Sequence, residues 1–283
     1  ILAHNYQLPE IQDVADFCGD SLELARIAAS NGAEMIVFCG VHFMAESAAM
    51  LAPEKKVIFP ELSAGCPMAD MAEASDVLEM KKNHPDAAVV TYINSSAAVK
   101  AVSDVCCTSA NAVRVVQSIN AKKIIFVPDK NLGHYVSRFV DKELILWEGF
   151  CPTHERLTVS DIELVRKNHP DAIVMVHPEC SPPVVDVADE VRSTGGMIAF
   201  AKTTQAKKII LGTEKGMIHR LKKEAPHIEY LLASESLICP NMKKINLKKL
   251  YDALDREETV MTVEPSIRVR AVRCLENMLE LSQ

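Results

Sequence analysis

Lys82-Asn83-His84-Pro85-Asp86-Ala87 recurs as Lys167-Asn168-His169-Pro170-Asp171-Ala172, an offset of 85 residues. The correspondence continues at that offset: Asp104 falls on Asp189, and Lys123-Ile124-Ile125 falls on Lys208-Ile209-Ile210. A fainter copy lies upstream, where Met35-Ile36-Val37-Phe38 precedes the stretch from Lys123 by 88 residues. The chain therefore reads as three copies of one unit. Polar residues at equivalent positions are then expected to converge on a shared axis.

The repeat divides the chain into units 1–84, 85–169 and 170–283, the last carrying a closing helix from Glu264 to Leu281. In the second unit, Ala88 to Ile93 is an apolar, β-branched run and reads as a strand. Ser96 to Val102 reads as a helix, Val105 to Cys107 as a strand, Ser109 to Ser118 as a helix, and Ile124 to Val127 as a strand. Leu132 to Val140 reads as a helix and Leu144 to Trp147 as the last strand, before a linking helix Ser160 to Asn168. Short strands alternating with helices give parallel sheets covered on both faces. The predicted fold is α/β: three αβα units about a pseudo-threefold axis, with the site at the centre.

Composition narrows the function classes. Each unit is small for independent stability, so a shared core is expected. The net charge is −7 with no long basic run, which argues against nucleic acid. Lys222-Lys223 and Lys243-Lys244 read as solvated helix faces. No apolar run approaches the ~18 residues of a membrane helix. Nine cysteines without a secretory pattern point to reduced thiols and a cytoplasmic location. The chain opens on Ile1, directly in a predicted strand, and a leading segment is expected to be missing.

In parallel α/β units, ligands sit beyond the carboxyl ends of the strands. Three sets of equivalent residues fall there. The first is His4, Tyr92 and His177, followed two residues on by Tyr6, Asn94 and Glu179. All six can bond or move protons at positions where a plain core would be apolar. The second is Ser21, Ser109 and Thr194, each read as opening a helix. Their ordinary role is to cap, but three helix N-termini aimed at one axis would also attract carboxylates or phosphate. The third is a cysteine followed by proline in every copy: Cys66-Pro67, Cys151-Pro152 and Cys239-Pro240. The other six cysteines have no counterparts in all three copies and read as core or incidental. Three convergent thiolates suggest a metal, either zinc with an open position or a four-iron cluster with one iron lacking a protein ligand. Residue types alone leave both open, together with a non-catalytic iron–sulfur sensor, although a polar ring favours chemistry.

The residues also resemble a known family, the quinolinate synthases, the A proteins of de novo NAD synthesis. The motifs run in family order: Leu2-Ala3-His4-Asn5-Tyr6-Gln7, Gly19-Asp20-Ser21, Phe43-Met44-Ala45-Glu46, Cys66-Pro67-Met68-Ala69, Tyr92-Ile93-Asn94-Ser95 and Cys107-Thr108-Ser109-Ala110-Asn111-Ala112. They continue through Cys151-Pro152-Thr153-His154, His177-Pro178-Glu179-Cys180, the stretch Gly212 to His219, and Asn241-Met242-Lys243-Lys244. The resemblance implies a [4Fe-4S] cluster on Cys66, Cys151 and Cys239 with one open iron. It also implies condensation of iminoaspartate with dihydroxyacetone phosphate to quinolinate, phosphate and water. Iminoaspartate would come from an aspartate-oxidising enzyme. Some relatives carry a C-x-x-C-x-x-C run at the third ligand; here Cys239 is followed by Pro240, Asn241 and Met242, without a second thiol. The expected roles are proton transfer by Glu179 and Tyr6 facing each other across the axis, oxygen contacts from His177, and substrate binding by His4, Ser21, Tyr92, Asn94, Ser109 and Thr194. His154 is left open between orienting a thiolate or the substrate and a supporting or capping role, and Lys215 and His219 receive no catalytic role.

Overall fold

The computed structural model describes residues 1–282. Twelve strands form three four-stranded sheets, all parallel. The first contains β1 (Leu2–His4), β2 (Phe17–Gly19), β3 (Met35–Cys39) and β4 (Lys56–Ile58). The second contains β5 (Ala88–Tyr92), β6 (Val105–Cys107), β7 (Lys123–Val127) and β8 (Glu143–Leu146). The third contains β9 (Ile173–Val176), β10 (Glu190–Val191), β11 (Lys208–Gly212) and β12 (Glu229–Leu232). The spatial orders are β2-β1-β3-β4, β6-β5-β7-β8 and β10-β9-β11-β12, one topology used three times. In each sheet the first strand of the unit lies between the second and the third. The chain reverses direction across the sheet there, so a crevice opens at that strand's carboxyl end.

The central strands are apolar on both faces, as a sheet covered by helices on both sides requires. Ile36, Val37 and Phe38, then Ile124, Ile125 and Phe126, then Ile209, Ile210 and Leu211 are all buried. A single apolar core runs from Leu2 to Met278 and draws on all three units, with smaller clusters beneath the second and third sheets. Units of this size share one core because each alone buries too little surface. Helix Pro265–Glu280 packs on helix Ala97–Ala101, β6 and helix His42–Leu51, bridging the first two units.

Two predicted boundaries move. The second unit's helix begins at Ala112, so Ser109 does not open it. Thr108 to Asn111 instead form a turn, in which the Asn111 carboxamide oxygen accepts from the Thr108 N–H at 2.6 Å. The predicted helix Leu132–Val140 runs from Lys130 to Ser137, because Asp129 caps it by accepting from the N–H groups of Asn131 and Leu132.

Candidate active site

The carboxyl ends of β1, β5 and β9 open into one cavity of about 170 Å³. The first unit lends it His4, Tyr6, Ser21 and Cys66; the second, Tyr92, Asn94, Ser109 and Cys151; the third, His177, Glu179, Thr194 and Cys239. All the residues singled out from the repeat thus line the same space. Equivalent side chains also share local geometry. The N–H of Tyr6 donates to His4 Nδ1 at 3.2 Å, and the N–H of Glu179 donates to His177 Nδ1 at 3.3 Å. A ring nitrogen that accepts is unprotonated, so each imidazole carries its hydrogen on Nε2. His177 turns that nitrogen to Ser109 Oγ at 3.2 Å. Burial pushes both histidines down to about 3, which keeps the rings neutral. The approach of His177 Nδ1 to Glu179 at 3.6 Å is therefore not an ion pair.

Glu179 is 3 % exposed and fully bonded. Tyr92 donates to its Oε1 at 2.6 Å, and His154 Nδ1 donates to Oε2 at 2.7 Å. Burial works to raise this carboxyl, but His154 beside it and the hydrogen bonds donated by His154 and Tyr92 outweigh it, so the group stays ionised. On its other side, His154 Nε2 lies 2.8 Å from Thr213 Oγ1, which lies 2.6 Å from the Tyr6 hydroxyl. Tyr6 and Glu179 are joined through Thr213 and His154. The Tyr92 hydroxyl, expected to touch substrate, is engaged by Glu179. Burial, followed by the Glu179 charge, pushes both phenols well up, so they remain donors.

Each of the three cysteines opens a turn whose backbone N–H groups reach the sulfur. Met68 and Ala69 supply them to Cys66, His154 to Cys151, and Asn241 and Met242 to Cys239. Burial raises all three thiols, Cys66 to about 12. Without a cation they are neutral; a metal would hold them as thiolates. The amide donors and the shared cavity fit a group bound by all three. A tighter set overlaps it: the ligating atoms of Cys151, His154 and Glu179 lie within 4.8 Å of one another. All nine cysteines are free, in keeping with reduced thiols.

The hydroxyl set behaves differently from an ordinary cap. Asp20 and Ser193 cap the helices Ser21–Ser30 and Thr194–Thr203, which leaves the Ser21 and Thr194 side chains outside the capping role. Thr194 Oγ1 accepts from Asn5 at 3.1 Å. The Asp20 carboxylate takes the N–H groups of Leu22 and Glu23 at 2.9 Å and that of Gly195. It therefore already sits between two helix N-termini of different units. A Cβ at Gly195 would stand 2.6 Å from Asp20 Oδ2, so a larger residue there would displace that carboxylate. Lys243, read as solvated, instead pairs at 2.9 Å with Glu214, which is fully buried, and also donates to the Tyr6 carbonyl. Glu214 in turn accepts from the Cys239 N–H at 3.2 Å.

The threefold repeat gives Thr213 and Arg156 no role and leaves His154 between orienting a thiolate or substrate and a supporting one. His154 and Arg156 line the cavity. The Cys-Pro-Thr-His sequence was the one signal for His154, and its function depends on a partner from another unit. Thr213 follows β11, and its counterparts after β3 and β7 are Gly40 and Pro128, so no threefold pattern marks it. No helix among the described residues is long and apolar enough to cross a membrane.

Comparison with known proteins agrees with this geometry. A family model described as the quinolinate synthetase A protein, NadA, matches residues 1–280. A protein of Geobacter sp. (strain M21) named quinolinate synthase is 55 % identical over 281 residues, covering 99 % of this chain and 92 % of that protein. Proteins of the same name from Dehalococcoides mccartyi (strain CBDB1) and Methanosarcina barkeri are 53 % and 52 % identical, each over 99 % of this chain. With a family match over nearly its whole length and such relatives, the chain belongs to the quinolinate synthases, a family of enzymes.

Proposed function

We propose that this chain condenses iminoaspartate with dihydroxyacetone phosphate, giving quinolinate, phosphate and two molecules of water, with a [4Fe-4S] cluster on Cys66, Cys151 and Cys239. One observation carries the reading. Three cysteines, one from each unit and each met by backbone N–H donors, line the same cavity as the chain Tyr6–Thr213–His154–Glu179. Amide donors to sulfur suit iron-bound thiolates, and three ligands leave one iron open. When bound, the cluster supplies a Lewis acid for a departing or chelating oxygen.

The remaining work belongs to side chains. Glu179 Oε2 is the base that takes a proton from carbon. Once Glu179 is protonated, its hydrogen bond to His154 reverses, with the ring hydrogen on Nε2. The Glu179 O–H then gives its proton to Nδ1, and Nε2–H gives one to Thr213. The Thr213 hydroxyl gives one to Tyr6, and Tyr6 Oη–H protonates a leaving oxygen. His177 Nε2–H and His4 Nε2–H donate to carbonyl and carboxylate oxygens. Asn94, whose Oδ1 is buried without a partner, together with Ser21, Ser109 and Thr194, binds the carboxylates and the phosphate. Tyr92 holds Glu179 ionised and at the edge of the substrate. The units 1–84, 85–169 and 170–283 serve as the three structural modules of this site. An imine hydrolyses in water, so iminoaspartate is taken directly from an enzyme that oxidises aspartate. Buried free thiols suit a cytoplasmic setting.

The test is anaerobic turnover of the two substrates, with quinolinate quantified by chromatography. Glu179→Gln is expected to lower kcat by ~10²–10⁴-fold with iron content unchanged. Loss of iron in that variant would give Glu179 a structural role instead. The tight group Cys151, His154 and Glu179 supports a second reading, a zinc lyase or hydrolase. It would replace the His154–Glu179 hydrogen bond by a metal and leave Cys66 and Cys239 without a task. A non-catalytic iron–sulfur sensor would not need the acid–base chain at all.

A further inference from the structure

The turn that follows the first strand of a unit carries an active-site side chain in each copy: Tyr6, Asn94 and Glu179. In the first unit, Gln12, on helix Pro9–Val14, sends its Nε2 to the carbonyls of Asn5 (3.0 Å) and Gln7 (2.9 Å). In the second, Lys100, on helix Ala97–Ala101, sends its Nζ to the carbonyls of Ile93 (2.8 Å) and Ser95. The offset of 88 that relates the two units carries Gln12 onto Lys100, Asn5 onto Ile93, Gln7 onto Ser95 and Tyr6 onto Asn94. Two chemically different side chains thus make the same pair of bonds around equivalent residues.

Both donors are buried, Gln12 at 4 % exposure and Lys100 at 0 %. An ammonium buried this fully is costly unless its hydrogens are used. Lys100 presents its third N–H side to the Phe43 ring of the first unit, 5.5 Å from the centroid. Gln12 likewise reaches across a boundary, to the Gly216 carbonyl of the third unit at 3.0 Å. Each clamp fixes its own turn and ties that turn to a neighbouring unit. Among the described residues the third unit shows no such donor: the equivalent residue is Val185, and the Glu179 carbonyl is held from outside by Asn131 Nδ2 at 3.1 Å.

We propose that Gln12 and Lys100 are equivalent positioning residues, each binding together the two carbonyls that flank an active-site side chain, Tyr6 in one unit and Asn94 in the other. The functional consequence rests on the site proposed above; the clamp itself does not. Lys100 acts through Asn94, so its removal should loosen the turn and weaken binding of whatever Asn94 holds. The chemistry of the second unit should also be replaceable by that of the first, because a glutamine already does this work at position 12.

The experiment compares Lys100→Met and Lys100→Gln, each alone and combined with Asn94→Ala. Amide hydrogen exchange is read over residues 92–96, and quinolinate binding to the anaerobically prepared protein is read by calorimetry. Lys100→Met should speed exchange at least tenfold and weaken quinolinate by about fivefold to thirtyfold, the upper figure applying if binding must replace both net hydrogen bonds in ordering the turn. Lys100→Gln should return both to within about threefold of the parent. In the Asn94→Ala background, Lys100→Met should add no more than about twofold to the binding loss. Unchanged exchange in Lys100→Met, or a Gln variant no better than Met, overturns the proposal. Should Lys100→Met fail to fold, Lys100→Gln decides alone: exchange more than tenfold above the parent refutes the clamp. If Asn94→Ala leaves quinolinate binding unaltered, the site assignment fails, and the exchange data still judge the clamp.

Discussion

Replacing Thr213 by valine tests whether protons travel between Tyr6 and Glu179. The side chain is 0 % exposed, and its hydroxyl touches the Tyr6 hydroxyl at 2.6 Å and His154 Nε2 at 2.8 Å. Valine keeps the branched shape and removes the one atom that joins the two groups. A net hydrogen bond contributes ~1 kcal/mol, and a buried phenol left without a partner costs about 1–3 kcal/mol more. The expected destabilisation is therefore about 2–4 kcal/mol. At roughly 2 °C per kcal/mol for a chain longer than 250 residues, Tm should fall by about 4–8 °C. The catalytic effect is separable from this loss. If the chain of hydroxyl and imidazole carries the proton, kcat should drop ~10²–10⁴-fold at temperatures where the variant is fully folded. Thr213→Ser, which restores the hydroxyl, should recover most of the rate. Quinolinate formation under anaerobic conditions, followed beside the melting curve, gives both quantities. A variant that loses the expected Tm but keeps kcat within about threefold would show that Thr213 only packs, and the proton route would have to be redrawn.

Further outcomes follow from the same geometry. His4 and His177 are buried neutral, with values near 3 against 6.5 in an unfolded chain. Between those limits the unfolded state binds more protons, so stability rises with pH by about 1.4 kcal/mol per unit for each ring. Urea titrations at pH 4.5, 5.2 and 6 should show that slope reduced in His4→Asn; an equal slope would contradict burial of the neutral ring. Glu179 has the opposite charge logic. Its carboxyl is held low, so its contribution is present above about pH 4.3 and disappears only in stronger acid. Gly195→Ala should drive a Cβ to 2.6 Å from Asp20 and destabilise by about 1–3 kcal/mol. An unperturbed melt would mean that the two helix N-termini are not held together by that carboxylate.

The fold was largely legible because the repeat is visible as sequence. Lys-Asn-His-Pro-Asp-Ala and the runs around Ile124 and Ile209 fixed the unit and its strands before any geometry. The site was legible only where all three copies are polar or carry cysteine. Thr213 escaped because Gly40 and Pro128 occupy its equivalent positions. His154 was visible, but its place against Glu179 joins two units that sequence does not bring together. The Ser109 helix start failed for a local reason: Thr108 and Asn111 bond each other and hold a turn that competes with the helix. Lys243 looked like half of an ordinary surface pair because its partner, Glu214, lies 29 residues away beneath the third cysteine loop. The equivalence of Gln12 and Lys100 is hidden in the same way, since residue types differ and only their acceptors match.

The central claim is that three sulfurs from three units grip one inorganic group. Iron, acid-labile sulfide and zinc counted per chain in anaerobically purified protein test it most directly, alongside Cys66→Ala, Cys151→Ala and Cys239→Ala. About four iron and four sulfide should be found in the parent, with loss of both in every variant. One zinc per chain without sulfide, retained in Cys66→Ala and Cys239→Ala but lost in Cys151→Ala, would contradict it.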